Sequence, residues 1–253
     1  MDKKPEKLMA NFGLIGKNID YSFSKAFFTK KFEKEKLDHS YHNFDIDTIE
    51  KFPEIIKNTS DLRGLNVTIP YKEAIIPYLD KLNKKAEKIG AVNTIKITAK
   101  GKLRGYNTDY CGFKKSLKLK LQPHHTKALI LGTGGASKAI AYALKSLNIE
   151  YKFVSRSQIK NTTLSYNDLT QKIIKAYTLI INCTPLGTYP NIDECPDLPY
   201  DAITPEHMLY DLIYNPSETK FLKLGKQYGA ITVNGKKMLE LQAKKSWEIW
   251  LRP

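Results

Sequence analysis

The stretch ALILGTGGASKAIAYALKSL, residues 128–147, constrains the fold more than any other part of this chain. Four apolar residues read as a buried strand. A glycine-rich turn follows, and then Ala, Ile and Leu recur at helical spacing. Gly132, Gly134 and Ser137 occupy the three positions of a G-x-G-x-x-small turn. The first glycine permits the tight turn, the second lets backbone approach a pyrophosphate, and the small third residue lets the helix pack close to the strand. The helix N-terminus offers free N–H groups and a positive dipole end to the phosphates. The strand before and the helix after supply the context that the motif requires. Gly132, Gly134, Gly135 and Ala136 are therefore expected to bind a dinucleotide.

The end of the next strand selects the cofactor. NAD sites usually carry Asp or Glu there, to bind the ribose 2′-hydroxyl. This chain has Val154-Ser155-Arg156-Ser157, with no acid. A guanidinium binds phosphate bidentately, so Ser155, Arg156 and Ser157 are expected at the 2′-phosphate of NADP, with Lys160 able to assist.

Beyond residue 120 the segments alternate strand and helix: YKFVSRS, a helix over 166–176, YTLIINCTP, MLYDLIY, a helix from PSETKFLKLGKQYG, and AITVNG. That order predicts a parallel, helix-covered sheet of Rossmann type. The N-terminal half also alternates but lacks a cofactor fingerprint. Strands are predicted at 11–16, 40–45 and 65–69, helices at 22–37 and 47–59, and a strand pair at 91–97 and 102–106. Pro70 suits a first helical position and Pro77 a second short helix. The tail MLELQAKKSWEIWL reads as an amphipathic helix. The expected fold is α/β in two domains. Residues 1–110 form a substrate-binding α/β domain and 111–233 a Rossmann-type dinucleotide-binding domain. The C-terminal helix, 234–253, packs back on the first.

Composition narrows the function classes. No run of about 18 apolar residues exists to span a bilayer. The lysine-rich N-terminus lacks an unbroken apolar stretch of signal-peptide length. Cys111, Cys183 and Cys195 have no CxxC spacing, which argues against a disulfide framework or a zinc site and fits a cytoplasmic protein without a metal. The net charge of +15 is carried by lysines scattered in pairs, without an arginine-rich block or an aromatic-interleaved stripe. Neither nucleic acid nor membrane is an expected partner. A small-molecule substrate is, and a homodimer remains open.

Several polar residues sit at strand ends. Asn66, Thr68 and Lys72 surround one junction, where a helix N-terminus would disfavour the Lys72 ammonium and suit it to proton transfer. Asn93 lies in GAVNT and Asp109 in GYNTD. Ser22 and Ser24 precede a helix, where hydroxyls could bind a carboxylate. Each has a plainer reading as a helix cap or a surface lysine.

Together these residues carry a resemblance. Gly13-Leu14-Ile15-Gly16 with Ser22-x-Ser24, Asn66-Val67-Thr68-Ile69-Pro70-Tyr71-Lys72, Gly90-Ala91-Val92-Asn93-Thr94 and Gly105-Tyr106-Asn107-Thr108-Asp109 come first. The glycine turn, Ile181-Asn182-Cys183-Thr184-Pro185-Leu186-Gly187-Thr188, Tyr210-Asp211-Leu212-Ile213-Tyr214-Asn215-Pro216 and Asn234-Gly235-x-x-Met238-Leu239-x-x-Gln242-Ala243 follow. Their order and spacing resemble those of NADP-dependent shikimate dehydrogenases over essentially the whole chain. The resemblance implies reversible NADPH-dependent reduction of 3-dehydroshikimate to shikimate, in aromatic amino-acid (chorismate) biosynthesis. It implies Lys72 and Asp109 as the catalytic pair. Ser22, Ser24 and Thr68 would meet the substrate carboxylate, with Tyr214 nearby, and Asn93, Asp109 and Gln242 the ring hydroxyls. Gly235 and Met238 would lie near the nicotinamide. The chain departs from the family at Lys17-Asn18-Ile19-Asp20-Tyr21, at Lys25, and at Lys236 and Lys237. The alternatives are a quinate/shikimate dehydrogenase with dual cofactor use and a non-catalytic ligand-binding paralogue.

Overall fold

A computed structural model describes residues 9–19, 22–156 and 163–252. Two compact units divide the chain: Met1–Thr108 with Gln242–Pro253, and Asp109–Leu241.

The first unit contains strands β1 (Ala10–Gly16), β2 (His39–Asp45), β3 (Leu62–Val67), β4 (Lys81–Leu82), β5 (Thr94–Ile97) and β6 (Leu103–Tyr106). Its helices are α1 (Phe23–Lys34), α2 (Phe52–Asn58) and α3 (Lys84–Ile89). The sheet order is β2-β1-β3-β5-β6-β4. β1 runs parallel to β2 and β3, whereas β5 runs antiparallel to β3 and β6, so this sheet is mixed. Central β1 is buried along nearly its whole length, which explains the apolar run Phe12–Gly16. Alternation sends Ile15 into one core, with Leu65, Val67 and Ile95, and Phe12 and Leu14 into another, with Phe28, Phe32 and Trp247. Trp250 reaches the same core from the C-terminus, and its indole N–H donates to the Ile95 carbonyl at 2.9 Å. Gly64 makes room for it: a Cβ there would lie 2.3 Å from the indole nitrogen.

Two local readings need correction. No helix follows Pro70; residues 69–75 form turns, and the Ile69–Pro70 peptide is cis. The Lys72 carbonyl, which a helix would offer to residue 76, instead accepts from Val92 N at 2.7 Å, while Ile76 N bonds Glu73. The strand before it covers Leu62–Val67 rather than 65–69. Pro77 lies second in a short 3₁₀ element, Ile76–Tyr78, which begins one residue before it.

The second unit contains α4 (Asp109–Leu117), β7 (Lys127–Leu131), α5 (Gly135–Lys145), β8 (Glu150–Ser155), β9 (Thr163–Ser165), α6 (Gln171–Ala176), β10 (Leu179–Asn182), β11 (Met208–Asp211), α7 (Lys220–Gln227), β12 (Ile231–Val233) and the start of α8 (Lys236–Trp250). Every strand pair is parallel, in the order β12-β11-β10-β7-β8-β9. Counted within the unit, this is the doubly wound order, with its switch point between β7 and β10. The edge strand β9 escapes sequence reading because it has three residues, Thr-Leu-Ser, without a hydrophobic pattern. Among the described residues no helix is long and apolar enough to cross a membrane.

Candidate active site

In the second unit the glycine turn lies between β7 and α5. Gly132 has φ +102°, a conformation that L side chains rarely adopt, and a Cβ there would come 3.3 Å from the Thr184 methyl. Gly134 is the N-cap of α5, no side chain caps that end, and a Cβ at Gly134 would meet nothing within 4 Å. Gly135 and Ala136 form the first turn. Ser137 is buried and donates back to the Gly134 carbonyl at 2.6 Å. An uncapped helix start therefore stands beside the switch point, with open space in front of its N-cap, as a pyrophosphate requires.

Ser155 ends β8 and exposed Arg156 follows it. The positive charge of Arg156 is felt by Tyr166, partly opposing the upward shift that burial imposes on that phenol. No acid ends β8. Asp168, after β9, accepts from Ser165 N at 2.7 Å and Ser165 Oγ at 2.8 Å in a capping box. An exposed guanidinium with no carboxylate in the ribose position fits a 2′-phosphate. Ser157 and Lys160 lie outside the described residues.

Gly235 abuts the loop after β11. Its N–H donates to the Ile213 carbonyl at 2.9 Å, and a Cβ would come 2.0 Å from the Leu212 carbonyl oxygen. Tyr214 follows in that loop, half-buried. Met238 is buried in the unit's apolar core, in the same cluster as Phe113 and Tyr210. Asp109, the first residue of α4, is also buried.

In the first unit the site is held by side chains. Ser22 caps α1, its Oγ accepting from Lys25 N at 3.0 Å. Buried Tyr41 has its phenol pushed up by burial, a shift that the nearby Ser24 hydroxyl opposes. Tyr41 Oη donates to Asn66 Oδ1 at 2.8 Å, and Asn66 Nδ2 donates to Ser246 Oγ at 3.0 Å. Ser246 Oγ lies 2.8 Å from Thr94 Oγ1, and Thr94 Oγ1 donates to Asn93 Oδ1 at 3.2 Å. Asn93 Oδ1 also accepts from Thr108 N at 2.6 Å, and its Nδ2 donates to Gln242 Oε1 at 3.1 Å. Thr68 donates its backbone N–H to Ile15 O at 2.9 Å. Half-buried Lys72 stands on the turn after β3, and no helix begins there whose dipole could act on it.

The hydrogen bonds thus join Asn66, Asn93 and Gln242, which come from three separate motifs. Ser246, which bridges Asn66 and Thr94, and Tyr41, which bonds Asn66, carry no local sequence signal. Thr94 and Thr108 do, as neighbours of Asn93 and Asp109 within their motifs.

A mixed α/β unit joined to a doubly wound unit with an open glycine turn defines a two-domain, dinucleotide-dependent oxidoreductase. The family model described as the shikimate dehydrogenase substrate binding domain matches residues 14–95. NADP(+)-dependent shikimate dehydrogenase from Clostridium botulinum is 40% identical over 252 residues, covering 96% of each chain. The Methanococcus maripaludis enzyme is 40% identical over 254 residues, covering 94% of this chain and 90% of its own. The crystal structure of Thermus thermophilus shikimate 5-dehydrogenase in complex with NADP(H) and shikimate superposes with TM-score 0.85 at 31% identity, covering 96% of this chain and 94% of that one. The chain belongs to the shikimate dehydrogenase family.

Proposed function

We propose that this enzyme reversibly reduces 3-dehydroshikimate to shikimate with NADPH, in the cytoplasm, as a step of chorismate biosynthesis. The observation that supports it best is the fixing of Asn93 by Gln242 and by the backbone of Thr108, the residue just before Asp109. Buried hydrogen bonds hold that amide in one orientation, as recognition of a polyhydroxylated ring needs.

The remaining roles follow the chemistry of each group. Gly132, Gly134, Gly135 and Ala136 would hold the pyrophosphate through the turn and the uncapped helix start. Ser155 and Arg156, with Ser157, would take the 2′-phosphate. Gly235 and Met238 would border the nicotinamide, which when bound supplies the hydride. Ser22, Ser24, Thr68 and Tyr214 would bind the substrate carboxylate. Capping α1 does not disqualify Ser22, because a hydroxyl that accepts from Lys25 N keeps its proton for a carboxylate. Asn93, Asp109 and Gln242 would contact the ring hydroxyls. Lys72 and Asp109 would deliver a proton to the developing alkoxide and stabilise its charge.

The test is the near-ultraviolet absorbance of NADPH or NADH with 3-dehydroshikimate, and of NADP or NAD with quinate. NADPH oxidation with 3-dehydroshikimate should be fastest. No turnover with that pair overturns the proposal, and equal rates with quinate and NAD would favour the dual-cofactor alternative.

A further inference from the structure

Asp211 is a fully buried carboxylate at the carboxyl end of β11, and none of the roles above uses it. Across the sheet it is in register with Asn182, the equally buried last residue of β10. Three neutral donors converge on it. Asn182 Nδ2 and Ile213 N donate to Oδ1 at 3.1 and 3.0 Å, and Thr219 Oγ1 donates to Oδ2 at 2.6 Å. Burial pushes its pKa up to about 6 while these three bonds pull it down, so the ionised form prevails at neutral pH.

Each partner ties down a separate segment. Asn182 Oδ1 accepts from Thr184 N at 3.0 Å and Thr184 Oγ1 at 2.6 Å, which shapes the loop against which the Gly132 turn packs. Ile213 presents its carbonyl to Gly235 N and directly precedes Tyr214. Thr219 caps α7, accepting from Leu222 N.

We infer that Asp211 is a positioning residue for the reduction: as a carboxylate it holds the loops after β10 and β11 against the glycine turn and Gly235, and so sets Tyr214. This rests on the proposed function for the meaning of those loops. Asparagine preserves the shape of Asp211 but removes its charge. Its amide N–H would face either Asn182 Nδ2 or the Thr219 hydroxyl, where a donor now points.

The test uses the full chain and the variants Asp211→Asn, Thr219→Val and Thr219→Ser. Backbone amide exchange is measured without ligands, and kcat and KM for both substrates are measured by turnover. Asp211→Asn should speed exchange at Ile213 and Gly235 and lower kcat/KM about ten- to hundredfold, the range for one lost charge-assisted hydrogen bond. Thr219→Val should move both readouts the same way by less, and Thr219→Ser, which keeps both bonds, should restore them. Normal kinetics in Asp211→Asn overturn the inference, even with faster exchange, because Asp211 would then hold a loop the reaction does not need. If Asp211→Asn does not fold, the Thr219 pair decides, and a Thr219→Val enzyme with normal kinetics overturns it. If the unaltered chain turns over nothing, the proposed function fails instead. Unchanged exchange at Ile213 and Gly235 in Asp211→Asn would then overturn the role of Asp211 separately.

Discussion

The two units position their functional groups by different means. In the first, side chains hold side chains: Tyr41, Asn66, Ser246, Thr94, Asn93, Thr108 and Gln242 form one hydrogen-bonded network among neutral groups. In the second, the expected ligand contacts are mostly backbone, and the glycines at 132, 134 and 235 matter for the side chains they lack. A ring bearing several hydroxyls is read by fixed amides and hydroxyls. A pyrophosphate shared by many enzymes needs only N–H groups and room for close approach. Substitution should therefore act in the first unit through lost polar groups and in the second through added carbon.

The largest effect is expected at the proposed proton-transfer pair. Lys72→Ala should lower kcat by about 10²–10⁴, the range for a positioned acid–base group, with a smaller change in substrate binding. Asp109→Asn should lower kcat and weaken substrate binding as well. The double variant should be little worse than the poorer single one, because groups that act as a unit are not additive. Near-normal kcat in Lys72→Ala, with circular dichroism showing a folded protein, would return Lys72 to the surface lysines.

Two glycines sharpen the contrast inside the second unit. A Cβ at Gly235 would come 2.0 Å from a backbone oxygen, so Gly235→Ala must shift backbone and should cost about 1–3 kcal/mol or more of stability. A Cβ at Gly134 meets nothing within 4 Å. Gly134→Ala should melt like the parent yet raise the KM for NADPH. If both variants lose stability equally, the open space before α5 is not a ligand seat.

Arg156→Ala should raise the KM for NADP about ten- to hundredfold, or roughly 1.5–3 kcal/mol for one charge-assisted phosphate contact, and leave NAD nearly untouched. Equal losses with both cofactors would assign Arg156 to the fold.

The smallest effect concerns stability against pH. Buried His125 accepts from Gln122 N at 2.9 Å through Nδ1, and burial, then neighbouring His124, hold its pKa below the usual value. A base with a lowered folded pKa takes up its proton first in the unfolded chain. Its contribution is therefore complete above about pH 6.5 and is lost as pH falls below that value. His125→Asn should flatten the fall in melting temperature between neutral pH and about pH 5. An unchanged slope would place the acid sensitivity elsewhere.

Much of the second unit was legible because its signals are local. The strand, glycine turn and helix at 127–145 are consecutive, and the alternation of segments dictates a parallel sheet once crossovers are right-handed. The acid missing after Val154 is likewise a matter of one position. In the first unit, Asn93 and Gln242 were recognisable one at a time, each within its own motif. Their 3.1 Å contact was not, since 149 residues separate them.

By itself the sequence determined the strand–helix alternation of the second unit apart from β9, the glycine turn, the place of Arg156 and the set of residue types available for chemistry, because each depends on neighbours a few positions away. Tertiary structure alone decided that residues 70–75 do not form a helix, since Val92 takes the Lys72 carbonyl. It also decided that β5 reverses the direction of the first sheet, that Ser246 meets Asn66 from 180 residues away, and that Asp211 is buried among neutral donors. Those outcomes depend on which buried donor finds which acceptor once the chain is packed. A hydrogen bond between distant segments leaves no periodicity in either one.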